Sequence, residues 1–230
     1  MYKSSSYFFL IYLLLAIFLL SCKPQPKNIK SAALTYDITF PEIDKEKKPI
    51  TSMLLPKKQK FLFKDNTFLT HIKKATFELK ILSETTEPTF YSEFYFNNIQ
   101  HTHLKGEQLN TLKASLPEYE VNLTDERDTL KGLNIKKATV KYEDFGTIDV
   151  WYTEDFTIQD PNWCTPYKEI PGVLIEYVIY QFGVRMNLKL AAWEEKEISD
   201  SLLTINPKGS ELTFDAFQKE MGGLFKNLLD

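Results

Sequence analysis

Few residues in this chain are of types that could do chemistry: three histidines, two cysteines, and acids scattered without an obvious pairing. His101-Thr102-His103 is the one histidine pair, and on a strand residues i and i+2 project to the same side, so both imidazoles could meet one metal ion. No third ligand can be assigned, and the pair reads as two solvated histidines on a surface strand, with no metal expected. Cys164 stands beside Trp163 and Thr165-Pro166 with no histidine near it in sequence, which describes a buried, inert thiol rather than a nucleophile. There is no G-x-S-x-G elbow. Glu194-Glu195 and Glu143-Asp144 read as solvated charges at turns or strand ends. The eight glycines are too few for a phosphate-cradling loop. No catalytic residue and no cofactor are expected, and the protein reads as a non-enzyme.

The other cysteine carries a different chemistry. Met1-Tyr2-Lys3 and three serines lead into an apolar run from Tyr7 to Leu20, followed by Ser21-Cys22. A cationic start, a short apolar stretch and a small residue at the cut describe a secretory signal peptide. The run is shorter than the ~18–20 apolar residues that span a bilayer. Leu19-Leu20-Ser21-Cys22 resembles a bacterial lipobox, whose cysteine is acylated and becomes the new N-terminus. Residues 1–21 are therefore expected to be a signal peptide, Cys22 the lipid attachment site, and 22–33 a flexible tether. About a dozen extended residues would reach up to ~40 Å from the membrane. Lys23 after Cys22, in place of aspartate, favours the outer membrane. Acylation would also leave Cys164 without a partner, so no internal disulfide is expected.

Removing residues 1–21 takes away one lysine and no acid, so the formal charge moves from −3 to −4. A slightly acidic chain gives no electrostatic reason to bind nucleic acid. Seventeen Phe, twelve Tyr and three Trp, beside abundant Thr, Ile and Val, favour strands.

Residues 34–230 read as a single domain, mainly β with some helix. Leu34, Tyr36, Ile38 and Phe40 alternate with polar residues as a half-buried strand does. Strand rhythm continues through Gln59–Lys64, Thr67–Lys73, Thr76–Leu82 and Thr89–Phe96, with another candidate at Tyr119–Leu123. Leu109, Leu112 and Leu116 have helical spacing within 107–116. Two hairpins follow: one pairs 137–142 with 148–153 across Glu143–Gly146, the other turns at Gln181-Phe182-Gly183. The outgoing strand of the second, Val173–Tyr180, is apolar on both faces apart from Glu176. An antiparallel strand normally keeps one wet face, so this one must be covered twice or face a hydrophobic hollow. Phe214, Phe217, Met221, Leu224, Phe225 and Leu228 recur at three and four residues, an amphipathic helix with Thr213 as its N-cap.

Trp151-Tyr152-Thr153 followed by Ile170-Pro171-Gly172-Val173-Leu174-Ile175 resembles the signature of GLPGLI-type and related bacterial envelope lipoproteins over residues 131–221. Glu169 stands where that motif prefers glycine, Val173 replaces leucine, and Asn134 holds a position where the related lipoproteins often carry cysteine. The resemblance implies a LolA/LolB-like fold: a curved antiparallel half-barrel, covered by a C-terminal helix, with an apolar concavity. It supplies no catalytic residues.

Trp151, Tyr152, Trp163, Ile175 and Tyr177 are the candidate lining of that concavity, with Tyr167 beside them. The expected function is that of a lipid-anchored envelope protein whose partners are the membrane and a hydrophobic or lipid-like ligand. The alternative is a structural or protein-interaction module whose concavity is filled by its own side chains, and cavity volume separates the two.

Overall fold

The computed structural model describes residues 26–44, 46–74, 77–142 and 146–229. The signal peptide, Cys22, Thr76 and the hairpin turn at 143–145 lie outside the described residues, as does the side chain of Leu228.

Among the described residues twelve strands form one sheet: β1 (Ser31–Thr39), β2 (Lys58–Lys64), β3 (Thr67–Lys74), β4 (Phe77–Glu84), β5 (Thr89–Tyr95), β6 (Ile99–Lys105), β7 (Glu120–Leu130), β8 (Leu133–Tyr142), β9 (Gly146–Thr153), β10 (Val173–Gln181), β11 (Val184–Glu195) and β12 (Ser210–Glu211). Their spatial order is β12-β6-β5-β4-β3-β2-β1-β11-β10-β9-β8-β7. Two antiparallel meanders, β1–β6 and β7–β11, thus join along β1 and β11, with only β12 running parallel to its neighbour. The helices are α1 (Pro49–Leu54), α2 (Leu109–Ser115) and α3 (Phe214–Leu229). No helix among the described residues is long and apolar enough to cross a membrane.

Connectivity explains why the sheet is curved and open. β6 and β7 are ten strand spacings apart, about 48 Å in a flat sheet. The link between them, residues 106–119, holds a 3-10 turn and α2 and can reach only about 30 Å. The sheet must curl to bring its flanks together. α2 buries Leu109 and Leu112 in the core beneath this bridge.

The period of two then sorts the residues. Leu34, Tyr36 and Ile38 of β1, Phe61 and Phe63 of β2 and Phe90 and Phe94 of β5 face the concave side and are buried. Helix α3 lies there, with Phe214 against Phe90 (6.4 Å between ring centroids), Phe217 against Phe94 (5.2 Å) and Phe225 against Phe77 (6.2 Å). Burying each such ring contributes about 1.5–3 kcal/mol, which offsets the weak helix propensity of Gly222-Gly223. The Thr213 hydroxyl accepts from the Ala216 N–H at 3.3 Å, the expected N-cap.

One expectation needs correction. Residues 22–33 are not all tether: β1 starts at Ser31, Ile29 is buried, and its N–H and C=O bond Asp155 O and Thr157 N at 2.9 and 2.8 Å. The apolar side chain of Ile29 and the open backbone edge beside Phe156 make this stretch part of the body from Lys27 onward. Between β1 and β2 lies the short helix α1, whose Pro49 occupies a first-turn position where a missing N–H costs nothing.

Candidate functional site

The 19-residue segment between β9 and β10, residues 154–172, enters the concavity and occupies it. Phe156 meets Phe63 at 5.3 Å between centroids, Cys164 Sγ lies 3.9 Å from Ser83 Oγ on β4, and Tyr167 meets Tyr177 at 6.0 Å. One amide holds the segment's shape: Asn162 Nδ2 donates to both Ile170 O and Gly172 O at 2.8 Å. Gly172 is required by close approach, since a Cβ there would sit 2.2 Å from Thr153 O. The doubly apolar strand is explained by this plug. A bulge between Leu174 and Glu176 leaves Ile175 as the extra residue, and Val173, Leu174 and Ile175 are all buried.

The hydroxyls in this interior are satisfied internally. Tyr36 Oη donates to Leu174 O at 2.7 Å, and Gln59 Nε2 donates to Tyr177 Oη at 3.1 Å. Tyr142 and Tyr167 bond each other and the carbonyl of Val178. Burial raises all four phenols above their ordinary pKa, that of Tyr177 to about 12. Burial likewise pushes the Cys164 thiol up to about 11. Neutral, fully bonded groups of this kind supply neither a nucleophile nor a general base.

Of the five candidate lining residues, the structure brings Tyr152, Ile175 and Tyr177 into the buried interior and sets Trp163 partly buried in the plug. Trp151 is likewise partly buried against this core. It stands in register with Lys137 and Glu176 on the opposite side of β9 from Tyr152, as adjacent strand residues must. Cavities among the described residues include two near this arrangement. One, about 10 Å³, lies between Tyr142, Ile148, Val178, Tyr180 and Arg185 and is too small for a lipid chain. The other, about 300 Å³, is an open polar groove on the outer side, lined by Lys64, Asn66, Glu84 and Asp200 among others.

The histidine pair lies on the outer face, beneath a strap. After β11 the chain crosses that face: Lys64 Nζ binds Glu197 at 2.7 Å and Asp200 at 2.8 Å, and Leu203 and Ile205 cover Leu62, Leu69, Leu82 and Tyr91. His101 Nδ1 donates to Lys208 O at 2.9 Å, and β12 then adds to β6. The chain so passes round the β6 edge before α3 returns to the concave side. His101 lies tilted against Tyr91 at 5.6 Å between centroids, and His103 meets the same ring edge-on at 6.0 Å. Burial, and after it Lys105, hold His103 below the usual histidine range. Among the described residues no three His, Cys, Asp or Glu side chains converge as a metal ion requires.

Sequence reasoning missed two polar features. One is a row across four strands, His71, Lys80, Glu93 and His101, whose members face one another in register. Lys80 pairs with Glu93 at 3.1 Å, and Tyr91 Oη donates to Glu93 at 2.8 Å. The other is Asp155, 1% exposed, which accepts from the Asn134 N–H at 2.8 Å. The period-two placement of charges pointed to the first; no local pattern marks the second.

No family model matches the chain, and no curated protein matches it. Its fold is similar to that of PNGF-II, seen in two crystal forms. In one the TM-score is 0.52 at 16% identity, covering 83% of this chain and 33% of that one. In the other it is 0.46 at 17% identity, covering 84% and 33%. The chain thus spans about a third of that neighbour's length, and at such identity the first match establishes a likeness of fold alone: a mainly β protein with one open, curved, antiparallel sheet and a C-terminal helix.

Proposed function

We propose that this protein is a non-catalytic, lipid-anchored module of the bacterial cell envelope, attached through Cys22 and acting by surface interaction. Its half-barrel is of the LolA/LolB kind but is filled by its own chain. The observation that carries this reading is the occupation of the concavity by residues 154–172 and α3. The alternating burial, the internally bonded tyrosines and the 10 Å³ residual space beside Tyr142 support it. The lipobox-like Leu19-Leu20-Ser21-Cys22 supports the anchor, and the outer membrane is the membrane proposed.

A second reading, carriage of a hydrophobic ligand, is favoured by one observation. The concavity is covered by a loop, whose Tyr167 meets Tyr177, and by a helix carrying Gly222-Gly223, elements that can open more readily than strands. Native mass spectrometry of the purified full chain separates the two. The interaction module is expected to carry no lipid beyond the acyl chains on Cys22 and to leave an apolar dye unbound. A stoichiometric second lipid, or dye binding reduced at least tenfold by Tyr177→Ala, would overturn it in favour of carriage.

A further inference from the structure

The sheet has two rims. At one lie Ser31, Lys64, Thr67, Glu84, Leu130, Leu133, Thr153, Val173 and Glu195, the ends at which the chain joins the body. At the other lie Thr39, Lys58, Lys74, Phe77, Tyr95, Ile99, Tyr142, Gln181 and Val184. Of the seven large apolar side chains exposed among the described residues, Ile50, Met53, Tyr95, Phe96 and Tyr180 belong to segments at this distal rim, while Leu123 lies on β7 and Leu202 by the first rim.

Lys27 is already fixed to the first rim. Its N–H donates to Asp155 Oδ1 at 3.3 Å, its ammonium lies 5.8 Å from the centre of the Trp193 ring, and Ile29 next to it is buried. Only five residue steps separate Cys22 from Lys27, at most about 18 Å of extended chain. The nine residues of β1 put the distal rim about 30 Å further out. Around the attachment point Lys27, Lys30 and Lys131 are exposed and in no ion pair among the described residues. Glu197 and Asp200 are held by Lys64 and Glu194 by Lys196, while Asp65 and Glu195 stay outside those pairs. Trp193, half-buried and donating through Nε1 to Lys131 O at 2.9 Å, adds an amphipathic ring of the type that favours a headgroup layer.

We infer that the rim bearing Lys27, Lys30, Lys131 and Trp193 rests on anionic lipid headgroups, so that the body stands upright with Ile50, Met53, Tyr95, Phe96 and Tyr180 facing away from the bilayer. This rests on the acylation of Cys22. The short tether confines the rim to the surface, and each lysine near an anionic surface adds to the attraction. The apolar distal rim then stands where it can meet only something reached across the periplasmic side.

The test uses the full-length lipidated chain in phosphatidylethanolamine/phosphatidylglycerol vesicles that contain a nickel-chelating lipid. A spin label is placed by Lys30→Cys or by Ile50→Cys, with Cys164 buried and Cys22 acylated. Mass spectrometry of the N-terminal peptide first reads the acyl chains. The expected result is relaxation by headgroup nickel at least tenfold stronger at position 30 than at 50. Ten Gly/Ser residues inserted after Lys23 in the Lys30→Cys protein should weaken it several-fold. Equal relaxation at both positions on an acylated protein overturns the upright pose, and stronger relaxation at 50 shows the apolar rim in the bilayer instead. An unacylated Cys22 overturns the anchor itself, a separate and distinguishable failure.

Discussion

Asn134 and Asp155 meet at three points. The backbone N–H of Asn134 donates to Asp155 Oδ2 at 2.8 Å, and its side-chain amide spans both carboxylate oxygens at 3.1 and 3.3 Å. The Thr153 hydroxyl closes the ring, donating to Asn134 O at 2.7 Å and accepting from the Asp155 N–H at 3.2 Å. Asp155 also receives the Lys27 N–H, so one buried carboxylate ties the start of β8, the end of β9 and the incoming N-terminal segment together.

Asp155→Ala strands the Asn134 and Lys27 donors at a buried position. Charge-assisted bonds of this kind are worth about 1.5–3 kcal/mol, and unpaired buried donors add their own cost. The expected loss is about 3 kcal/mol in urea unfolding, with faster tryptic cleavage after Lys27 and Lys30. A loss below about 1 kcal/mol, or unchanged cleavage, would show that Asp155 is not the tie.

Gly172 and Gly223 should respond oppositely to alanine. At Gly172 the new methyl collides with backbone, Thr153 O at 2.2 Å and Thr153 C at 2.7 Å, and backbone cannot give way as a side chain can. Overpacking of this order costs about 1–3 kcal/mol. At Gly223, on α3, nothing lies within 4 Å. Replacing glycine in a helix interior there should gain up to ~1 kcal/mol. Thermal unfolding of both variants checks this: a lower Tm for Gly172→Ala and a higher one for Gly223→Ala are expected.

How much of this was legible from sequence depends on the range of the interaction involved. The strands with strict alternation, such as Leu34 to Phe40 and Val184 to Ala192, were legible because one face of each is buried and the period of two records it. Helix α3 was legible for the same reason at its own period. The Glu120–Leu130 strand extends well past the expected Leu123, because a sheet edge exposed to water carries Asp125, Glu126 and Asp128 without any burial pattern. The plug was not legible: residues 154–172 have no regular period, and their burial is set by Phe63, Ser83 and Tyr177, about 10–90 positions away. Placing Trp151 with Tyr152 in one pocket overlooked the alternation that separates them.

Cys164 should be silent in the native protein. With its pKa pushed up to about 11 by burial, only about one thiol in a thousand is thiolate at pH 8, and Ser83 and the plug shield it. A chromogenic disulfide reagent is expected to titrate no thiol in the folded, acylated protein and one thiol in guanidinium. Rapid native labelling that maps to Cys164 would refute the buried assignment, whereas labelling at Cys22 would mark an unacylated chain.

The tyrosine cluster predicts an alkaline limit to stability. In the unfolded chain the phenols of Tyr36, Tyr142, Tyr167 and Tyr177 ionise near pH 10. In the folded protein burial raises each, that of Tyr177 to about 12 and the others likewise upward. Between those values the folded state holds more protons than the unfolded one, so the stabilisation is full below about pH 10 and is lost as pH rises through 12. Absorbance at 295 nm, followed beside far-UV circular dichroism, should show the exposed tyrosines ionising first with the sheet intact. The buried tyrosines, these four together with Tyr91 and Tyr152, which burial also raises, should then ionise in one step that coincides with unfolding. Tyr36→Phe removes a donor to Leu174 O but keeps the ring against Tyr177, so it should lower stability by only about 1 kcal/mol at pH 7 and shrink the late absorbance step. If all nine tyrosines that remain after removal of residues 1–21 titrate together near pH 10 while the dichroism holds, the phenols are not buried and the filled concavity is wrong.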